Sequence, residues 1–237
     1  MVSLDRLMET SGTGVYVVVP CYNEEGAVLR GVVRSLLAAG HEVVLVDDGS
    51  REPALSAVSG LPVHCLRHAV NLGQGAALQT GMSYCRRLNA RAVIHFDADG
   101  QHEVADIPKL LSALSGGADV ALGSRFLPGS GATGLPRGRR VLLRVARLVN
   151  GVLTGLWLTD AHNGLRALNA RALERIDLHE NRMAHATEIL EQMRQAGLRV
   201  VEVPVTVRYT AYSRGKGQRW SGAVTILLDW LMNRLMR

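Results

Sequence analysis

The chain has 237 residues, 47% of them hydrophobic, enough to bury one full core in a single large domain with appendages. Its formal net charge of +6 comes almost entirely from arginine, which favours anionic partners, while aromatic residues at 4% are too few for the stacking platforms of a single-strand nucleic-acid binder. Three cysteines, Cys21, Cys65 and Cys85, with no CxxC spacing, argue against a disulfide framework and a structural zinc site and fit a reducing compartment.

Residues 1–12 (MVSLDRLMETSG) lack the basic start and apolar run of a leader and read as an N-terminal extension. Residues 15–20 (VYVVVP) form a continuous apolar run, and 24–39 carry helical spacing through Val28, Val32, Leu36 and Leu37. Strand patterns follow at 43–46, 63–66 and 92–96, with a helix over 74–86; a helix over 107–114 and a strand at 120–122 come next. Short strands that are apolar throughout, with helices between them, predict a mostly parallel sheet flanked by helices, an α/β domain over 13–208. A glycine-rich loop at 128–138 leads into a basic helical segment over 136–158, and a strand pattern appears at 199–207. A polar stretch at 209–219 precedes a C-terminal amphipathic helix over 220–237, on which Trp220, Val224, Leu227, Leu228, Leu231 and Leu235 share a face. No apolar stretch reaches the ~18 residues of a membrane-spanning helix.

In such sheets ligands sit beyond the carboxyl ends of the strands. The predicted strands end in Pro20-Cys21-Tyr22-Asn23-Glu24, in Asp47-Asp48-Gly49-Ser50 and in Asp97-Ala98-Asp99. Two carboxylates two residues apart point to one side of an extended chain, and together they stay ionised only beside a cation. Mg²⁺ or Mn²⁺ suits such oxygen ligands, with Gln101 as a further donor; a turn or helix cap is the competing reading of Asp97-Ala98-Asp99-Gly100. Tyr22 offers a ring for a base to stack on, Asn23 reads equally as a helix cap, and one carboxylate of Asp47-Asp48 can accept from a nucleobase or ribose. Asn71-Leu72-Gly73-Gln74-Gly75 resembles a phosphate-cradling turn without the P-loop lysine, and Gly75 reads equally as a close-packing position.

Taken in order, VVVPCYNEE, VLVDDGS, NLGQGAALQTGM, VIHFDADGQH, ALGSRFLPG, TDAHNGLRALN and VPVTVRYT resemble glycosyltransferase family 2, over roughly residues 15–216. Within the family the chain looks most like the dolichol-phosphate mannose synthase and polyprenyl-phosphate glycosyltransferase group. The resemblance implies a GT-A fold, Rossmann-like, and an inverting, metal-dependent transfer of a hexose from a GDP- or UDP-sugar to a polyprenyl phosphate. It implies that Pro20, Tyr22, Glu24, one or both of Asp47 and Asp48, Gly75, Asp97 and Ala98 hold the donor nucleotide. Asp97, Asp99 and Gln101 would hold Mg²⁺ or Mn²⁺, and Arg125 and Arg139 the acceptor phosphate. Arg208, Arg214 and Lys216 would close over the donor phosphates, although TAYSRGK is looser than the group's pattern there. A phosphate acceptor is already ionised, whereas an alcohol acceptor needs a base, for which Asp160 and Glu188 are the candidates.

Arg140, Arg144 and Arg147 share one stripe of the basic segment beside an apolar face, which suits an interfacial helix on anionic lipid or a core helix with a solvated edge. The tail helix, with Trp220 and Trp230, fits the bilayer interface, a dimer contact or a membrane partner subunit. The resulting expectation is a cytoplasmic enzyme, peripheral on the inner face of the cell membrane. Two alternatives remain: transfer to a hydroxyl of a cell-wall or surface polysaccharide intermediate, and a non-catalytic nucleotide-sugar-binding subunit of a membrane complex. A nucleic-acid partner is not expected.

Overall fold

The computed structural model describes residues 14–133, 151, 155–161, 163–182 and 184–208. The expected N-terminal extension, polar stretch and tail helix lie outside the described residues, as does the basic segment apart from 151 and 155–158.

The elements run β1 (Val15–Cys21), α1 (Gly26–Ala38), β2 (Glu42–Asp47), α2 (Ala54–Ala57), β3 (His64–Arg67), α3 (Gln74–Arg87), β4 (Ala92–His95), α4 (Ile107–Ser115), β5 (Val120–Ser124), β6 (Gly131–Thr133), β7 (Arg166–Asn169), α5 (Ala170–Arg175), α6 (His185–Gln195), β8 (Val200–Pro204) and β9 (Thr206–Arg208). Seven strands form one sheet in the order β3-β2-β1-β4-β7-β5-β8. All its pairings are parallel except those of β7, which runs antiparallel to both β4 and β5. The short strands β6 and β9 pair with each other.

The continuous apolar runs arise because both faces of the sheet are covered. On one face Val18, Val44, Val93, Val120 and Leu168 pack with Leu78 and Met82 of α3, Leu173 of α5 and Ile189 and Leu190 of α6. On the other, Val17, Val19, Leu45, Ile94 and Ala167 pack with Leu29, Val33 and Leu36 of α1 and Ile107 and Leu110 of α4. Alternate residues of each strand therefore meet a different helix layer.

Three elements depart from expectation. Residues 166–169 (RALN) lack β-branched side chains and have polar ends, so their strand character comes from the two neighbours that hydrogen-bond them. The run 199–207 is divided at Val205, whose amide donates to the Ser124 carbonyl at the end of β5 while its own carbonyl accepts from Gly131. The strand expected over 92–96 stops at His95, so Asp97 and Asp99 sit in a turn, with Gly100 at φ +72°, and not on extended chain.

Helix α3 lies close against β1 because Gly81 has no side chain: a Cβ there would overlap Val18. Gly81→Ala should destabilise the domain by about 1–3 kcal/mol, as overpacking of a filled core does, read by urea denaturation.

Candidate active site

The carboxyl ends of β1, β2 and β4 open into a cleft of about 370 Å³, at the point where the sheet order reverses around β1. Of the expected site residues, Pro20, Tyr22, Glu24, Asp48, Asp97, Ala98, Asp99 and Gln101 line it together. Tyr22 is 43% exposed at the edge, with its ring available to a planar ligand. Cys21, Asn71, Gly73, Gln74 and Ala77 complete the wall.

Asp97 is held from two sides: Gln74 Nε2 donates to Oδ1 at 3.1 Å, and His102 Nε2 lies 3.0 Å from Oδ2. Gly164 presses against the same carboxylate, where any Cβ would land on its oxygens. Asp99 accepts from the backbone amide of Gln101 at 3.0 Å and from its side-chain amide at 2.5 Å. Burial works to raise Asp97, but the hydrogen bond and charge of His102, with the charges of Arg166 and His185, hold it below the ordinary carboxylate range. Burial pushes Asp99 the other way, above its ordinary value, with the Asp97 charge adding to the effect against the bonds from Gln101. The pair thus holds one settled negative charge and one carboxyl that its neighbour disfavours as an anion.

Hard oxygen donors in this state fit Mg²⁺ or Mn²⁺. No set of three His, Cys, Asp or Glu side chains forms a metal cage among the described residues. Behind the turn, His95 is 1% exposed, and burial, with Arg166 and His185 nearby, lowers it to about 3. It is a neutral strand residue.

The structure places other expected residues differently. Asp47 is buried outside the cleft wall, accepting from the amides of Ser50 at 2.9 Å and Ala54 at 3.0 Å. Burial raises it, but those bonds and the Arg67 charge outweigh that and leave it below its ordinary value. Asn23 does not cap α1. It adopts φ +48°, donates its backbone amide to Ser50 Oγ and accepts at Oδ1 from the Arg51 amide, fastening the first two strand ends together. The Gly75 amide donates to the Asn181 carbonyl at 2.8 Å, and a Cβ there would strike the Glu180 carbonyl, so this glycine serves close packing in place of a phosphate cradle.

Arg125 and Asp160 are brought together, but on each other: Nε and Nη2 reach the two carboxylate oxygens at 2.6 Å each, and the Arg125 amide adds a bond at 3.0 Å. Glu202 of β8 fixes this corner by accepting from the amides of Thr159 and Asp160 and from the Thr159 hydroxyl. Glu188 lies on α6, its carboxylate capping the amides of His179 and Glu180 at 2.9 Å each. Arg208 sits beside the acidic turn, its amide donating to the Gln101 carbonyl and its guanidinium 2.6 Å from Glu103. Arg139, Arg214 and Lys216 lie outside the described residues.

The profile of the family described as Glycosyl transferase family 2 matches residues 16–177, more than half of the chain. The chain belongs to glycosyltransferase family 2. Similar proteins include the polyprenol monophosphomannose synthase of Mycolicibacterium smegmatis, 30% identical over 90% of this chain and 85% of that one. Another is the UDP-N-acetylglucosamine–dolichyl-phosphate N-acetylglucosaminyltransferase of Methanococcus voltae, 28% identical over 86% and 89%. Among solved structures, glucosyl-3-phosphoglycerate synthase of Mycobacterium tuberculosis, crystallised with Mn²⁺, UDP and glucosyl-3-phosphoglycerate, superposes with a TM-score of 0.71 over 97% of this chain and 81% of that one. At 16% identity that likeness establishes the GT-A fold alone. This family 2 glycosyltransferase is thus similar to members of the polyprenyl-phosphate group.

Several residues that build its site were not assigned to it from sequence. His102 had a local signal, being in the same DADGQH run as the carboxylate it touches. Gln74 and Gly164 lie in the NLGQGAALQTGM and TDAHNGLRALN runs, but their reach to Asp97, 23 positions or more away, was not marked, and Glu202 lies outside every motif.

Gly164→Ala should weaken Mn²⁺ binding by about 10–100-fold, the range for disturbing the shell around a metal ligand, measured by calorimetry with Mn²⁺ alone. Because Asp99 keeps its proton to higher pH than an ordinary carboxyl, the wild-type affinity should also fall on acidification earlier than for an unperturbed Asp pair.

Proposed function

We propose that the chain is an inverting glycosyltransferase that moves a hexose from a GDP- or UDP-linked donor onto a polyprenyl phosphate at the cytoplasmic face of the membrane. The nucleoside would lie against Pro20, Tyr22, Glu24 and the Asp48 side of the cleft, all of which share one wall. Asp97, Asp99 and Gln101 would hold the divalent cation. When bound, the cation supplies neutralisation of the charge that gathers on the departing diphosphate. Gln74 and His102 keep Asp97 aimed at that position, and Gly164 leaves it room.

One observation favours a phosphate acceptor over a hydroxyl. Both carboxylates that could serve as a general base are already engaged: Asp160 by the Arg125 guanidinium and Glu188 by two backbone amides. A hydroxyl acceptor needs a base within hydrogen-bond reach, whereas an ionised phosphate needs none. Arg125, near the end of β5, would exchange part of its bonding to Asp160 for the acceptor phosphate, with Arg139 as a second contact. The names of the relatives, which specify polyprenol and dolichyl phosphate, support the same acceptor class. Among the described residues no helix is long and apolar enough to cross a membrane. The catalytic domain would span 13–208, and the segments at 136–158 and 209–237 would bring it to the membrane surface or to a membrane partner. Arg208, Arg214 and Lys216 would meet the donor phosphates.

Incubation with radiolabelled nucleotide sugars and a polyprenyl phosphate should place label in an acid-labile lipid. Asp99→Asn should lower its rate of formation by about 10²–10³-fold, the scale for removing one element of transition-state charge stabilisation. Label found only in an acid-stable glycoside would contradict the phosphate acceptor.

A further inference from the structure

Asp48 lines the nucleoside side of the cleft, yet its carboxylate already accepts four hydrogen bonds. Oδ1 meets His68 Nδ1 at 2.7 Å and the Leu72 amide at 2.9 Å; Oδ2 meets Asn71 Nδ2 at 2.8 Å and the Gly73 amide at 2.7 Å. A carboxylate offers about four lone-pair positions, so these protein donors fix how Asp48 is oriented in the cleft. Asp48 is therefore set in place before a nucleoside arrives. It holds the 71–73 turn, and Asn71 and Gly73 form part of the cleft wall.

His68 is the one ring among the four donors and comes from a different strand end, just past β3. Its backbone amide donates to the Asp47 carbonyl at 2.8 Å, and its Nε2 lies 2.9 Å from the Thr80 hydroxyl on α3. Its side chain is 11% exposed. A carboxylate only accepts, so Nδ1 carries a proton, and Nε2 stays within hydrogen-bond reach of the Thr80 hydroxyl. The imidazole thus spans from the end of β2 to α3, the helix that also brings Gln74 and Ala77 to the cleft.

We infer that His68 is a positioning residue for the donor's nucleoside, setting the Asp48 carboxylate and the turn it holds against α3 at the nucleoside side of the cleft. This rests on the nucleotide-sugar reading above. The physical ground is that removing the ring leaves a buried carboxylate one donor short, and the turn then has a reason to shift. A purely structural role for His68 would lower stability and leave ligand affinity unchanged.

The test is calorimetric titration of UDP and of GDP in the presence of Mn²⁺, with steady-state kinetics and thermal melting on the same samples. His68→Ala should weaken the nucleotide that the wild type prefers by about tenfold, equivalent to about 1.4 kcal/mol, and narrow the preference between the two bases. The KM for the nucleotide sugar should rise in parallel, with kcat at saturating donor within about twofold. Thr80→Val should act in the same direction with a smaller effect. His68→Asn, which can return an N–H to Asp48, should recover most of the affinity. Unchanged affinity in a folded His68→Ala, or a fall in kcat at constant KM, overturns the inference. If the wild type binds neither nucleotide, the donor reading itself fails and takes this inference with it.

Discussion

Like charge concentrated at the end of β4 is the constraint around which the site is arranged. Asp97 and Asp99 stand two residues apart in a partly buried turn, where each raises the energy of the other's ionised form. Gln74 and His102 help settle Asp97 as the anion, and Asp99, bonded by Gln101, keeps a proton affinity above normal through burial and the Asp97 charge. A divalent cation relieves that conflict in one step. The neighbouring chain respects the geometry this requires: Gly164 yields space to the Asp97 carboxylate, and β9 lies against residues 101–103 through the His102–Val207 bridge and the Arg208 amide.

Spare acceptor capacity separates acids that can meet a ligand from acids that build the frame. Asp47 is spent on the turn after β2, Asp160 on Arg125, Glu188 on the 179–180 amides and Glu202 on Thr159 and Asp160. Each is a strut that fixes a loop at a strand end, where backbone amides would otherwise be unpaired. The acidic turn after β4 differs because its hydrogen bonds come from amides and one imidazole, and burial with the Asp97 charge still disfavours Asp99 as an anion. The same logic applies to Arg125, whose direction is set by two guanidinium bonds and one amide bond to Asp160.

Much of this was legible in the residues. The apolar runs at 15–20, 43–46 and 92–96 and the helical spacing of 24–39 and 74–86 reflect local burial, and the structure returns them within a residue or two. The gathering of Pro20, Tyr22, Asp48, Asp97 and Asp99 at one edge followed from parallel strands ending on one side. Strand β7 was not legible, because Arg166 to Asn169 becomes a strand only between two neighbours supplied by distant sequence. Nor were the pairings that decide each acid's role: Arg125 with Asp160 spans 35 positions and Asp160 with Glu202 spans 42, and no local pattern marks either. Residue type indicated chemistry that a side chain is able to do, and the hydrogen-bond partners determine whether it is free to do it.

The central claim is that the two carboxylates after β4 share one cation with a diphosphate. It is met most directly by anomalous diffraction at the manganese edge from crystals soaked with Mn²⁺ and UDP. The account predicts a single strong peak bridging oxygens of Asp97 and Asp99 to the diphosphate in the cleft. A peak elsewhere, or a bound diphosphate with both carboxylates still joined only to Gln74, His102 and Gln101, would contradict it.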